Sequence, residues 1–185
     1  MSEKLYVIAG PSGVGKGTIV SRLIESYPNI FLSISMTTRL PRPGEQDGVH
    51  YYFVDKEKFE FLVKEKKILE YAFVHGLNYY GTPLEPVEKA LENGKPCILE
   101  IDLDGVRQVK EIMGERATYI FVSPPSWQEL EKRLVGRGTE DIENVTKRLE
   151  TAKIEMAAQD EFDYVVVNDI LENAVDEIAT IMNLK

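Results

Sequence analysis

Apolar residues are distributed along this chain in two textures that alternate. Short, almost unbroken apolar runs occur at Leu5-Tyr6-Val7-Ile8-Ala9, at 96–101 around Cys97-Ile98-Leu99, at 117–122 and at Tyr164-Val165-Val166-Val167. Runs of that length predict strands buried on both faces. Between them, apolar residues recur at helical spacing over 19–24, 84–92, 105–113, 127–134, 142–158 and 173–182. Strand and helix in alternation predict the α/β class, with a parallel sheet and helices on both of its faces.

From Ser35 to Gly81 the texture changes to short alternating runs, 49–54 and 68–74, on either side of a helical pattern over 56–66. This predicts a β-rich lobe, residues 35–81, inserted into a core made of 1–34 and 82–185. The polar segment Gly136-Arg137-Gly138-Thr139-Glu140-Asp141, between two helical patterns, predicts a short lid over about 136–148. Thr82-Pro83-Leu84-Glu85 has the make-up of a capped helix start, with Thr82 at the cap, and Ser126-Trp127-Gln128-Glu129 repeats it. Gly94 stands where it would close the first of these helices.

Composition narrows the partners. A chain of 185 residues, 43% hydrophobic, has material for one well-filled core carrying a small insertion. No apolar run approaches the roughly 20 residues that cross a bilayer, and the start enters the first strand without a leader, so a soluble, cytoplasmic protein with no membrane partner is expected. A net charge of -9 argues against a nucleic-acid partner, which needs a broad basic face. The single cysteine, Cys97, sits in an apolar run and is expected to be a buried thiol. His50 and His75 lack a second His or Cys at metal-ligand spacing and are given no role.

The chemistry concentrates in Gly10-Pro11-Ser12-Gly13-Val14-Gly15-Lys16-Gly17-Thr18, which lies between a strand and a helix. Consecutive backbone N–H groups in such a loop form a nest, the helix N-terminus adds partial positive charge, and Lys16 can reach terminal phosphates. A P-loop NTPase-type core binding ATP is the expectation. The residue after the lysine is Gly17, so the hydroxyl that usually meets Mg²⁺ must come from Thr18, or the ion must be held through water. The strand at 96–101 closes on Glu100-Ile101-Asp102, at the end of the sheet where ligands gather. Asp102 there fits either a site acid or a plain helix N-cap. Arginines bunch at Arg39 and Arg42 and again at Arg133, Arg137 and Arg148.

Taken together, these residues resemble the guanylate kinases, which transfer the γ-phosphoryl group of ATP to GMP. The resemblance runs essentially the length of the chain, through the loop 10–18, Ser35 to Glu45, Gly48 to Phe53, Glu70-Tyr71-Ala72, Asn78 to Thr82, Glu100-Ile101-Asp102, Arg133 to Gly138 and Lys147-Arg148-Leu149. It implies that the inserted lobe holds GMP, with its phosphate met by Arg39, Arg42, Tyr51 and Tyr80, and Glu45 nearby. It assigns guanine to Ser35, Glu70, Thr82 and Asp102. Transfer itself would fall to Lys16, Arg39, Arg133, Arg137 and Arg148, with Mg²⁺ arriving bound to ATP and no metal held by the protein alone. Two rival readings are a guanylate-kinase-like binding module without catalysis and a kinase for another nucleoside monophosphate.

Overall fold

In the computed structural model, residues 4–74, 76–135 and 142–185 are described, with the backbone alone for 142–145. The chain runs through β1 (Leu5–Ala9), α1 (Lys16–Ser26), β2 (Phe31–Leu32), β3 (Met36–Thr37), β4 (Tyr52–Phe53), α2 (Lys56–Lys64), β5 (Ile68–Val74), β6 (Asn78–Pro83) and α3 (Leu84–Glu92). It continues through β7 (Cys97–Glu100), α4 (Leu103–Met113), β8 (Ala117–Ser123), α5 (Trp127–Val135), α6 (Ile142–Ala157), β9 (Tyr164–Val167) and α7 (Leu171–Ile181).

One sheet has the order β2-β7-β1-β8-β9, and every pair in it is parallel. Strand β1 lies at its centre, and its alternating side chains feed two separate cores. Tyr6 and Ile8 pack with residues of α1, α5, α6 and α7, among them Ile19, Leu23, Leu130, Ala152 and Ile178. Leu5, Val7 and Ala9 pack on the opposite face with Val87 of α3 and Val106, Val109 and Met113 of α4. The expected α/β sheet with helices on both faces is therefore present. Cys97 is fully buried in the second core, and burial pushes its thiol pKa up to about 12.

A second sheet, of order β4-β3-β6-β5, is built from residues between Met36 and Pro83. Its own small core gathers Met36, Phe59 and Ile68, with Tyr79 stacked on Phe59 at 5.1 Å. Strand β5 lies at the edge, and α4 covers it. Gln108 accepts from the Tyr71 N–H at 3.1 Å and donates to the Tyr71 carbonyl at 3.0 Å, so a side-chain amide completes the strand's open backbone.

Local chemistry moves several boundaries. The alternating run at 49–54 forms a strand only at Tyr52–Phe53, because Gly48 has φ +72° and the N–H groups of Gly48, Val49 and His50 are spent on turns. Helix α4 starts at Leu103, two residues before its expected start, since the Asp102 carboxylate caps it by accepting from the Gly105 N–H at 2.8 Å. Helix α2 stops at Lys64, and Lys66 turns to φ +55°. Thr82 does not cap α3, contrary to expectation. Pro83 holds the cap position, and Thr82, 1% exposed, ends its strand facing Glu70. Ser126 does cap its helix, accepting from the Glu129 N–H at 3.2 Å.

Phe59→Ala should lower the unfolding free energy by about 3–5 kcal/mol, because it empties the centre of the smaller core. Phe61→Ala, at a side chain 55% exposed, should leave stability within about 0.5 kcal/mol. Urea denaturation of the two variants beside the parent chain checks both.

Candidate active site

The glycine loop leaves β1 and enters α1 by a backbone path that side chains would obstruct. A Cβ on Gly10, at φ +147°, would lie 2.2 Å from the Val122 carbonyl oxygen, so the loop packs directly on the neighbouring strand. A Cβ on Gly15, at φ +100°, would lie 2.6 Å from Asn168 Nδ2. That amide, buried at the end of β9, donates to the Val14 carbonyl at 2.8 Å and props the loop from the side. Gly15 is also the N-cap of α1, whose first turn holds no acid and no side-chain cap, so its N–H groups and positive dipole end are not claimed by a carboxylate.

Lys16 Nζ donates to the carbonyls of Gly10 at 2.5 Å and Pro11 at 3.2 Å. Burial lowers its pKa, while the carboxylates of Glu155, Glu100 and Asp102 pull the other way. Glu100, at the end of β7, approaches the loop closely: a Cβ on Gly17 would lie 3.7 and 3.9 Å from its two carboxylate oxygens. Burial raises the pKa of Glu100, and Lys16 opposes that. Ser12 and Thr18 are exposed.

Around the loop stand two of the expected arginines. Arg133 donates through Nε to Glu129 at 3.2 Å and through Nη1 to the Val14 carbonyl at 3.5 Å. Arg148, from α6, donates to Ser12 Oγ at 3.2 Å. Arg137 and the segment 136–141 lie outside the described residues, as does His75; residues 142–148, also assigned to the lid, form the first part of α6.

The second cluster belongs to the smaller sheet. Arg39 forms a bidentate pair with Glu45, both distances 2.9 Å, and both side chains are largely shielded at 15% and 17% exposure. Its Nε donates to the Tyr80 hydroxyl at 3.1 Å, and its Cζ lies 5.4 Å from the centre of the Tyr51 ring. Tyr51 and Tyr80 meet edge to face at 5.9 Å. The guanidinium and the Arg42 N–H hold Glu45 down to a pKa of about 2. Arg42 itself is exposed.

A cavity of about 300 Å³ joins the two clusters, lined by Ser35, Glu70, Tyr80, Glu100 and Asp102 among others. Glu70, 7% exposed, accepts from the Thr82 hydroxyl at 2.6 Å. A Cβ on Gly105 would lie 2.9 Å from its other oxygen. Burial raises its pKa to about 7, Asp102 adds to that, and the hydrogen bonds from Thr82 hold it back. A larger groove of about 680 Å³ lies elsewhere, between α2 and α3, and none of the expected site residues lines it. The carboxyl-bearing residues of the expected site line the smaller cavity.

The expected residues thus fall into a loop group, an arginine–tyrosine group and a carboxylate cavity between them. Asp102 caps α4 and also lines the cavity. Sequence reasoning passed over Asn168 and Glu155 and read Glu129 only as part of a helix cap. A polar residue directly after the apolar run 164–167 was the one available signal for Asn168.

A parallel sheet of this order, with a glycine loop between its central strand and first helix, defines a phosphate-loop kinase fold. The fold alone is shared with shikimate kinase from Bacteroides thetaiotaomicron, which is 13% identical with a TM-score of 0.52 over 97% of this chain and 98% of that one. Guanylate kinase from Anaplasma phagocytophilum is much nearer, 35% identical with a TM-score of 0.76, covering all of this chain and 87% of that one. The family model for guanylate kinase matches residues 2–185. Among relatives, the guanylate kinase of Corynebacterium jeikeium is 51% identical over 98% of this chain and 96% of its own, and that of a Synechococcus species is 54% identical over 96% and 93%. The chain belongs to the guanylate kinase family and is thereby a nucleoside monophosphate kinase. No described helix is long and apolar enough to cross a membrane.

The Glu70 carboxyl, with a native pKa of about 7 against an ordinary value of 4.5, binds more proton in the folded than in the unfolded chain between those limits. Its contribution is fully present at low pH and is lost as pH rises through about 7, a change of about 3 kcal/mol. Glu70→Gln should remove that part of the pH slope of unfolding. Thr82→Val should move the midpoint of the Glu70 carboxyl carbon upward in an NMR titration.

Proposed function

We propose that this chain transfers the γ-phosphoryl group of ATP to GMP in the cytoplasm, with the glycine loop as donor site and the smaller sheet, residues 35–81, as acceptor lobe. The observation that carries the reading is the Glu70 carboxyl, buried beside the Thr82 hydroxyl and facing a cavity that also meets Ser35 and Asp102. Guanine offers N1–H and an exocyclic amine to a carboxylate and O6 to a hydroxyl donor. Adenine turns an unprotonated N1 to the same carboxylate and would leave buried polar groups without partners.

At the other end of the cavity, Arg39, Arg42, Tyr51 and Tyr80 suit a phosphate dianion, since a guanidinium presents its donors in a planar array. Glu45 holds Arg39 in place through both nitrogens. The attacking oxygen of GMP is already ionised, so the reaction asks for alignment and charge neutralisation rather than a strong base. Lys16 exchanges its carbonyl partners for phosphate oxygens, while Arg133, Arg148 and Arg137 approach the transferred group and keep water from it. Gly10, Pro11, Ser12, Gly13, Val14, Gly15 and Gly17 form the backbone cradle of the polyphosphate.

The donor set near the loop fits a hydrated Mg²⁺: the Thr18 hydroxyl and the Glu100 carboxylate beside Gly17 are hard oxygen ligands. They would hold the ion through its waters, and when bound with ATP it neutralises polyphosphate charge.

Purified protein mixed with ATP·Mg should form ADP rapidly with GMP and hardly at all with AMP, CMP or UMP. Silence with all four would favour a binding module, and preference for another monophosphate would overturn the Glu70 assignment. Because GMP needs the carboxylate form, its KM should rise as pH falls from 8 to 6, and Glu70→Gln should flatten that profile while raising KM for GMP by at least about tenfold. Lys16→Ala should abolish turnover and leave GMP binding, measured by calorimetry, within about twofold.

A further inference from the structure

Helix α4 meets strand β5 through Gly105 and Gln108, which lie one turn apart on the same face of the helix. Each answers one of two consecutive residues of the strand. The Gln108 amide is fastened to the Tyr71 backbone in both senses, accepting from its N–H at 3.1 Å and donating to its carbonyl at 3.0 Å. Gly105 stands against the side chain of Glu70: a Cβ there would lie 2.9 Å from Glu70 Oε2, 3.3 Å from Glu70 Cδ and 3.2 Å from Asp102 Oδ1.

The backbone does not require glycine at this position. Gly105 sits in the first turn of α4 without a positive φ, and glycine weakens a helix relative to alanine. What the missing side chain provides is room. The Glu70 carboxyl, buried and joined at Oε1 to the Thr82 hydroxyl at 2.6 Å, fills that room, while the Gly105 N–H donates to Asp102 at 2.8 Å. Two carboxyl groups, one from the smaller sheet and one at the head of α4, thereby border the same cavity. A methyl group at 105 would press first on the far end of a flexible side chain rather than on backbone, so the fold can give way to it. The group that gives way is the carboxyl that lines the cavity.

We propose that Gly105 and Gln108 are positioning residues for the guanine site: Gly105 sets how close the Glu70 carboxyl comes to Asp102, and Gln108 holds strand β5 at the depth that this approach requires. Neither residue needs to touch the base. Their effect passes through Glu70, and it rests on Glu70 being the acceptor for the guanine N–H groups. A side chain at 105 therefore weakens GMP and leaves the glycine loop, at the other cluster, as it was.

The test is steady-state kinetics of the whole chain with ATP·Mg and GMP. Gly105→Ala should raise KM for GMP about tenfold while kcat and KM for ATP stay within about twofold. Glu70→Asp draws the carboxyl back by one methylene, out of reach of the new methyl group. The two substitutions together should therefore raise KM for GMP by less than the product of their separate effects. Gln108→Leu, which removes both bonds to Tyr71, should raise the same KM about threefold. An unchanged KM for GMP in Gly105→Ala, an equal rise in KM for ATP, or effects that simply multiply with Glu70→Asp would overturn the proposal. Glu70→Gln separates this from the reading beneath it: a parent-like KM for GMP in that variant sinks the assignment of guanine to Glu70, whereas a raised KM there beside a parent-like Gly105→Ala sinks the positioning role alone. Should Gly105→Ala fail to fold, Gln108→Leu decides, and a KM for GMP equal to the parent's refutes it.

Discussion

The ammonium of Lys16 is the charge on which this end of the molecule is balanced. Burial works against it, and the carboxylates of Glu155, Glu100 and Asp102, from three different elements, work for it. Those acids would repel one another at the sheet's C-terminal edge if nothing positive stood among them. Because Lys16 also reaches the carbonyls of Gly10 and Pro11, the same cation fixes the curl of the loop. The end of β7, the start of α4 and α6 thus each bring a carboxylate into the field of the cation that holds the loop. A ligand that takes that charge changes the terms on which all of them meet.

The arginine–tyrosine cluster of the smaller sheet is organised on the opposite plan. Arg39 arrives already paired, its fork closed on Glu45 and its Nε on Tyr80, so its geometry is set before any substrate reaches it. Glu70, by contrast, is buried with hydroxyl and backbone donors from one residue, Thr82, and with Asp102 as its neighbouring charge. A preformed cation at one end and an under-compensated carboxyl at the other give the cavity a direction.

Much of this was legible in the residues, though unevenly. The core strands announced themselves because a strand buried on both faces is apolar along most of its length, and β1, β7 and β8 are, apart from Glu100, Thr118 and Ser123. Loop and lysine were legible because their chemistry is local. The short strands β2 and β3 were not, since two residues carry no period and their pairing is decided by partners far along the chain, while the run 49–54 shortened to β4. Thr82 misled for a related reason: its local setting is that of a helix cap, but its register with Glu70 across β5 and β6 places the hydroxyl elsewhere. Asn168 acts through a contact made across a large sequence separation, so spacing had nothing to reveal about it, whereas Glu129 meets Arg133 only four residues on.

Strand β1 is clamped along both edges by parallel neighbours, and each of its faces belongs to a different core. Mechanically, the loop that grows from it is the fixed jaw of a vice. The smaller sheet, tied to the body along β5 by the Gln108 amide and the covering helix α4, is the jaw with fewer fastenings. A side chain at position 108 lacking either the donor or the acceptor would unfasten the Tyr71 N–H or carbonyl and leave that seam between the two bodies to apolar packing.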